Sequence, residues 1–300
     1  MNDALGPLVS VVMPTYNHAQ YIGRAIQSVL DQTYKNWELI VIDNHSTDNT
    51  VEVLAGFSDS RITYLKIHNN GVIALSRNVG IREAKGEWIA FLDSDDWWSS
   101  DKLNICCSNI RSNVDLLYHD LIIEKEDQTS SESKMLIESR QLKSPVLLDL
   151  LVSGNLLANS AVIVRKRLLE QVGLIDENPL MIACEDYNTW LKIAEISEGF
   201  LYVNQKLGTY MLHKKGISNR NMMPPLRCAV SKFTHFYSKK EKRFFDCITA
   251  YESGKYSHEH NDYCNAIMNF YFCIKNASLT LRVKSTIRLI YSLVAHLKNG

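Results

Sequence analysis

Three carboxylates crowd the tetrapeptide Asp93-Ser94-Asp95-Asp96, directly after the apolar run Trp88-Ile89-Ala90-Phe91-Leu92. Ionised side chains that close repel one another, so they need a cation or a set of hydrogen-bond donors to stay charged together. A hard divalent ion bound through oxygen, Mn2+ or Mg2+, meets that need. An acidic turn capping the next helix is the plainer reading and suffices for a lone Asp-x-Asp. The strand in front of the cluster and the residues further along favour the metal.

Other positions carry chemistry of their own. Asp186 follows Glu185 at the start of a helical pattern, where an aspartate commonly caps the helix. The same carboxylate, fixed at a helix start beside a cleft, is placed to take a proton from a substrate hydroxyl. Arg77, in Ser76-Arg77-Asn78-Val79-Gly80, opens a helix, and its guanidinium can meet a base edge or a phosphate, or form a surface ion pair. His213 follows a strand-like stretch and suits a metal, a diphosphate or a structural role. His258, His260 and Cys264 lie close in sequence but lack a fourth ligand at zinc spacing, so no metal is assigned to them.

The elements that must position these groups alternate. Leu8–Met13, Glu38–Ile42, Ile62–Ile67 and Trp88–Leu92 read as buried strands. His18–Leu30, Val51–Phe57 and Ile73–Ala84 read as the helices between them. That rhythm predicts an α/β fold with a largely parallel sheet and helices on both faces. Ligands collect beyond the carboxyl ends of such strands. Four polar segments stand there, Pro14–Asn17, Asp43–Asp48, His68–Arg77 and Asp93–Asp96, and they are expected to converge in one cleft. Further on, Glu124–Ser144 reads as an exposed loop or flap, Asn155–Val164 as a strand, Arg165–Val172 and Asp186–Ile196 as helices, and the chain from about Pro224 as helical.

Bulk composition narrows the partners. With 300 residues, 46% of them apolar, the chain can bury a sizeable core. Its 33 lysines and arginines balance 33 aspartates and glutamates, so overall charge gives no reason to expect nucleic acid. Seven cysteines, with no Cys-x-x-Cys pair and two of them adjacent, make a poor disulfide framework and fit a reducing, cytoplasmic setting. No signal peptide and no run of about 18 apolar residues is seen.

Taken in order, these segments resemble the inverting glycosyltransferases of family 2, which have the GT-A fold. The resemblance covers about Leu8–Ser218. Val9-Ser10-Val11-Val12-Met13-Pro14-Thr15-Tyr16-Asn17 is similar to the opening strand and nucleotide-contacting turn of that family. It implies that Pro14, Thr15, Tyr16 and Asn17 line the nucleotide, that Asp43 lies against uracil and that Arg77 meets the nucleotide. Within the Asp-x-Asp motif, Asp93 and Ser94 would lie by the ribose or sugar and Asp95 would bind the metal. Gly173-Leu174-Ile175-Asp176-Glu177 and Glu185-Asp186-Tyr187 resemble the stretch carrying the base, which makes Asp186 that base. Tyr210-Met211-Leu212-His213 with Ser218 resembles a closing motif whose histidine approaches the metal or diphosphate. The sequence departs from the family in reading Asp43-Asn44-His45 where two acidic residues and a glycine are frequent.

The resemblance implies single displacement on a UDP-sugar by a hydroxyl of a glycan acceptor, one linked to a lipid diphosphate, in surface polysaccharide synthesis. The expected organisation is a catalytic domain at 1–220, with the nucleotide-sugar side at about 1–120 and the acceptor side at about 121–220, then a helical region at 221–300. From Tyr263 onward there is no acidic residue, while Lys275, Arg282, Lys284, Arg288 and Lys298 supply positive charge. Val283, Ile287, Ile290, Val294 and Leu297 share one helical face, so the tail can lie on an anionic membrane or pack on the catalytic domain. A nucleotidyltransferase and a non-catalytic nucleotide-sugar-binding protein are the other readings. The first usually carries a glycine-rich signature that Pro14-Thr15-Tyr16-Asn17 is not, and the second would have no need of the whole carboxylate set.

Overall fold

The computed structural model describes residues 6–126, 135–213 and 220–299. The chain forms two compact units, Met1–Gly216 and Ile217–Gly300.

The first unit begins β1 (Val9–Thr15), α1 (Ala19–Leu30), β2 (Trp37–Asp43), α2 (Thr50–Ala55), β3 (Ile62–Lys66), α3 (Ile73–Glu83), β4 (Trp88–Phe91). These strands lie in the order β3-β2-β1-β4, all parallel. All of β1 and β4 is buried, which is why both read as continuous apolar runs rather than alternating ones. The helix α3 can approach β1 and β2 closely because it carries Gly80. A Cβ there would stand 2.6 Å from Val12 Cγ1 and 2.7 Å from Ile42 Cδ1.

Beyond β4 come β5 (Trp97–Trp98), α4 (Lys102–Ser108), β6 (Leu116–Lys125), β7 (Met135–Ile137), α5 (Val146–Ser153), β8 (Ile163–Arg165), α6 (Lys166–Gln171), α7 (Glu185–Ala194) and β9 (Phe200–Leu212). The sheet continues β4-β8-β6-β9-β5, with β7 on β6. Here β8 runs antiparallel to β4 and β6, whereas β9 is parallel to β6.

Two expectations change. Glu124–Ser144 is not one open loop, since β6 runs to Lys125 and Met135–Ile137 pairs with Leu121–Ile123; residues 127–134 lie outside the described ones. Its charges hid the strand because they sit at its partly exposed end, where Glu124 pairs with Arg24 at 3.7 Å. The strand expected over Asn155–Val164 shrinks to Ile163–Arg165. Residues Asn159–Ala161 form a 3-10 turn instead, and that turn serves the site.

The second unit is helical: α8 (Met223–Val230), α9 (Lys239–Glu259), α10 (Tyr263–Asn276) and α11 (Leu279–Asn299). A capping box of Ser238 and Glu241 starts α9. Buried Cys247, Ala250 and Cys273 join α9 to α10. On α11 the buried positions are Ser285 and Ser292, while Val283, Ile287, Ile290 and Val294 are exposed on roughly the opposite face. The apolar stripe therefore points away from the helices that α11 packs on. Among the described residues no helix is long and apolar enough to cross a membrane.

Candidate active site

The four polar segments beyond the strand ends are stitched together by hydrogen bonds. Asn17, held at φ 53°, donates its N–H to Ser46 Oγ at 2.9 Å, and its Oδ1 accepts from the Thr47 N–H at 2.7 Å. Asn69 N–H donates to Asn44 Oδ1 at 2.8 Å, which ties the loop after β3 to the loop after β2. His18 Nδ1 meets Ser94 Oγ at 2.8 Å, tying the start of α1 to the carboxylate cluster. Pro14 and Thr15 are buried at the end of β1, the Thr15 hydroxyl without a partner, while Tyr16 is half exposed.

Asp43 is fully buried and its carboxylate is occupied. One oxygen accepts from the N–H and Oγ–H of Ser46, and the other accepts from the Tyr64 hydroxyl at 2.9 Å. Its geometry is that of a residue shaping the turn.

Arg77 is buried and spans the site. Nη2 donates to Asp93 Oδ1 at 2.7 Å and Nη1 to Glu185 Oε1 at 2.6 Å. Burial works against its charge, yet Asp93 and Glu185 together hold the guanidinium above its ordinary value. The next residue, Asn78, clamps the stretch before α7: its Oδ1 accepts from the Ile175 N–H at 3.0 Å, and its Nδ2 donates to the Ile175 carbonyl and to Glu177. The Arg-Asn pair thus positions the strand-end carboxylates and the approach to α7 at once. The resemblance implies that Arg77 meets the nucleotide; in the structure each of its Nη groups donates to a carboxylate of the protein.

Asp186 stands one residue into α7, partly exposed. Its Oδ1 accepts from the Tyr187 N–H at 2.6 Å and its Oδ2 from Asn155 Nδ2 at 3.2 Å. Burial, then the charge of Glu185, pushes the carboxyl up to about 7, against the pull of Arg77. Such a group is poised to exchange a proton near neutrality.

The remaining carboxylates divide the work. Asp96 is buried, with Oδ2 accepting from Ser160 Oγ–H and Oδ1 from the Met211 N–H at 2.9 Å. Burial, then the charges of Asp95 and Asp93, raises it well above the ordinary carboxylate value. Ser160 Oγ also accepts from the Asp93 N–H at 3.1 Å, so one hydroxyl pins both ends of the cluster. Asp95 Oδ2 lies 2.9 Å from His213 Nε2. Burial alone would raise Asp95, but the hydrogen bond from His213 brings it below its ordinary value, and the same bond raises His213.

Asp95 and His213 are thus brought together as expected for one oxygen and one nitrogen donor. Among the described residues no three His, Cys, Asp or Glu side chains converge to hold a metal on their own. A divalent ion at this pair would complete its shell with phosphate oxygens and water, the usual arrangement for Mg2+. Ser218 lies outside the described residues.

Several side chains of the site escaped sequence reading. His18, Tyr21, Glu126 and Ser160 all border it, with the Tyr21 hydroxyl donating to Glu126 Oε1 at 3.0 Å and the Tyr21 ring 4.7 Å from that of His213. Each belongs to an element remote in sequence from its partner, so no local spacing marks it.

The chain is similar to known glycosyltransferases. "UDP-Glc:alpha-D-GlcNAc-diphosphoundecaprenol beta-1,3-glucosyltransferase WfgD" of Escherichia coli is 46% identical over 112 residues, which are 37% of this chain and 44% of that protein. "Putative teichuronic acid biosynthesis glycosyltransferase TuaG" of Bacillus subtilis is 44% identical over 99 residues, 32% of this chain and 39% of that protein. The match thus spans less than half the length of either relative. The mannosyltransferase PcManGT from Pyrobaculum calidifontis, solved with GDP-Man and Mn2+, aligns with a TM-score of 0.62 at 18% identity, over 99% of this chain and 88% of that one. The fold is that of the GT-A glycosyltransferases. The family model described as "Glycosyl transferase family 2" matches residues 10–173, more than half of the sequence, and the chain belongs to that family.

Proposed function

We propose that the protein transfers a hexose or N-acetylhexosamine from a UDP-sugar to a hydroxyl of a glycan acceptor carried on a lipid diphosphate, with inversion, in the synthesis of a surface polysaccharide. The observation that carries this reading is the Arg77 clasp, which joins Asp93 to the Glu185-Asp186 pair and leaves beside it a single partly exposed carboxyl raised to about 7. Asp186 takes the proton of the acceptor hydroxyl as that oxygen attacks the anomeric carbon. The bond from that carbon to the diphosphate breaks on the opposite side, and UDP leaves with the electron pair. One base suffices, because a nucleoside diphosphate departs as an anion and needs no proton at the moment of cleavage.

Asp95 and His213 would hold Mn2+ or Mg2+, which when bound supplies positive charge to offset that growing on the diphosphate. Asp93 and Ser94 face the ribose or sugar, and the segment Pro14–Asn17 lines the nucleotide. Arg77 acts as a positioning residue. Its two ion pairs hold Asp93 and α7 in one register. The UDP assignment rests on the family resemblance and on the name of the E. coli relative, as does the lipid-diphosphate acceptor.

The helix α11 supports work at a membrane surface. Its apolar stripe faces outward, and Arg282 and Lys284 flank it on either side, so their charged ends can reach lipid phosphates while the stripe sits among the chains. The seven free cysteines fit the cytoplasmic side of that membrane. Thermal-shift screening of UDP-, GDP- and ADP-sugars with and without Mn2+ tests the donor. A selective upward shift with one UDP-sugar, larger in Mn2+, is expected, and no shift with any UDP-sugar would contradict it.

A further inference from the structure

The segment between α5 and β8 touches both halves of the site. Gly154, at φ 83°, ends α5, and its N–H donates to the Leu150 carbonyl at 2.9 Å. That carbonyl also accepts from the hydroxyl of Tyr187, the residue after Asp186, at 2.8 Å. Ser139 Oγ donates to the Leu156 carbonyl at 2.6 Å, which fixes the middle of the segment. At the far end Ser160 holds Asp93 and Asp96. The segment is therefore moored beside Asp186 at one end and on the carboxylate cluster at the other.

Asn155 makes the contact to Asp186 itself. Its Oδ1 accepts from the Leu157 N–H at 3.1 Å, closing a local turn. With the amide oxygen committed in this way, the nitrogen is the end left to offer outward, and Nδ2 donates to Asp186 Oδ2 at 3.2 Å. Asp186 Oδ1 is tied to the Tyr187 N–H at 2.6 Å. Oδ2 is thus the oxygen left to take a proton from an acceptor, through the lone pair that Asn155 does not use. A donor on that oxygen favours the ionised carboxyl. It works with Arg77 and the Tyr187 N–H, against burial and the charge of Glu185; the Cys184 thiol, itself pushed up by burial, is the other titratable neighbour.

We propose that Asn155 is a positioning residue for glycosyl transfer, its amide aiming Asp186 Oδ2 at the acceptor hydroxyl and keeping that oxygen ready to receive the proton. The inference rests on the reading of Asp186 as the base. The proton passes from the acceptor hydroxyl to Asp186 Oδ2, and Asn155 neither gains nor loses one. Because the amide sits on the segment that also carries Ser160, the aim of the base is set relative to Asp93 and Asp96 and not by α7 alone.

Asn155→Ala and Asn155→Asp, compared with wild type, test it. Alanine removes both the turn acceptor and the donor. Aspartate keeps an oxygen for the Leu157 N–H, but it has no amide donor for Asp186 and sets a like charge beside it. If the side chain served only the turn, aspartate would restore what alanine loses; the proposal predicts the reverse order. In NMR titration of 13C-labelled aspartate carboxyls, with the Asp186 signal assigned by its loss in Asp186→Asn, the Asp186 midpoint should rise by about one pH unit in Asn155→Ala and by more in Asn155→Asp. The acidic limb of kcat/KM should move with it, and kcat above that limb should fall about tenfold as the base loses its aim. Calorimetric affinity for UDP with Mn2+ should be unchanged in both variants. An Asp186 midpoint and a limb at wild-type values in both variants, or wild-type behaviour in Asn155→Asp alone, would overturn the proposal. A wild-type limb that does not follow the Asp186 midpoint would instead overturn Asp186 as the base, on which the proposal stands.

Discussion

Arg77 Nη1 lies 2.6 Å from Glu185 Oε1, joining α3 to the first turn of α7 across 108 positions of sequence, inside a buried pocket. Removing the guanidinium would leave the buried Glu185 and the partly buried Asp93 without their counter-charge. Arg77→Met should therefore lower unfolding free energy by about 3–5 kcal/mol. Arg77→Lys should recover only part of it, because a single ammonium cannot span both carboxylates as the planar fork does. Urea denaturation of the three proteins checks this; equal stability of Arg77→Met would refute the clasp.

Asp96 and Ser160 make a second, smaller prediction. Ser160→Ala removes both the donor to Asp96 and the acceptor for the Asp93 N–H, and should cost roughly 1–3 kcal/mol. Asp96 is already raised well above its ordinary value, so Asp96→Asn should cost less than Ser160→Ala. The same urea titrations decide the order.

The pH profile follows from Asp186. A base must be unprotonated, so kcat/KM should rise about tenfold per pH unit below neutrality and level off above about 7. The same shift has a stability consequence. Asp186 binds its proton more tightly folded than unfolded, so its contribution is present at low pH and is lost as pH rises from the ordinary 3.8 through about 7. Asp186→Asn should abolish this part of the pH dependence of stability.

For α11, vesicles containing phosphatidylglycerol provide the readout. The full chain should sediment with them, and the Arg282→Gln, Lys284→Gln double variant should bind more weakly by roughly 2 kcal/mol. Ile287→Asp with Ile290→Asp should release it further. Sedimentation of both variants at the wild-type level would remove the membrane role from this face.

Much of the first unit was legible in sequence, because β1, β2 and β4 are buried on both faces and read as apolar runs between turn residues. The four segments at the strand ends were legible for the same reason, as was the meeting of Asp95 with His213. What spacing could not show was how charges would be spent. Arg77 and Asp43, expected at the nucleotide, also hold partners within the protein that spacing did not show. Ser160 looked like the middle of a strand, yet it sits in a 3-10 turn that reaches Asp93 and Asp96. Strand β6 was missed where its charged end is partly exposed, and β7 because three residues carry too little pattern to stand out.

The most direct measurement is transfer from a panel of UDP-sugars to a lipid-diphosphate-linked N-acetylglucosamine acceptor, by wild type and Asp186→Asn, with donor affinity measured in parallel. The wild type should form product, and Asp186→Asn should bind the donor equally well while turnover falls by about 10²–10⁴, the worth of a positioned base. Transfer by Asp186→Asn at the wild-type rate would contradict the account.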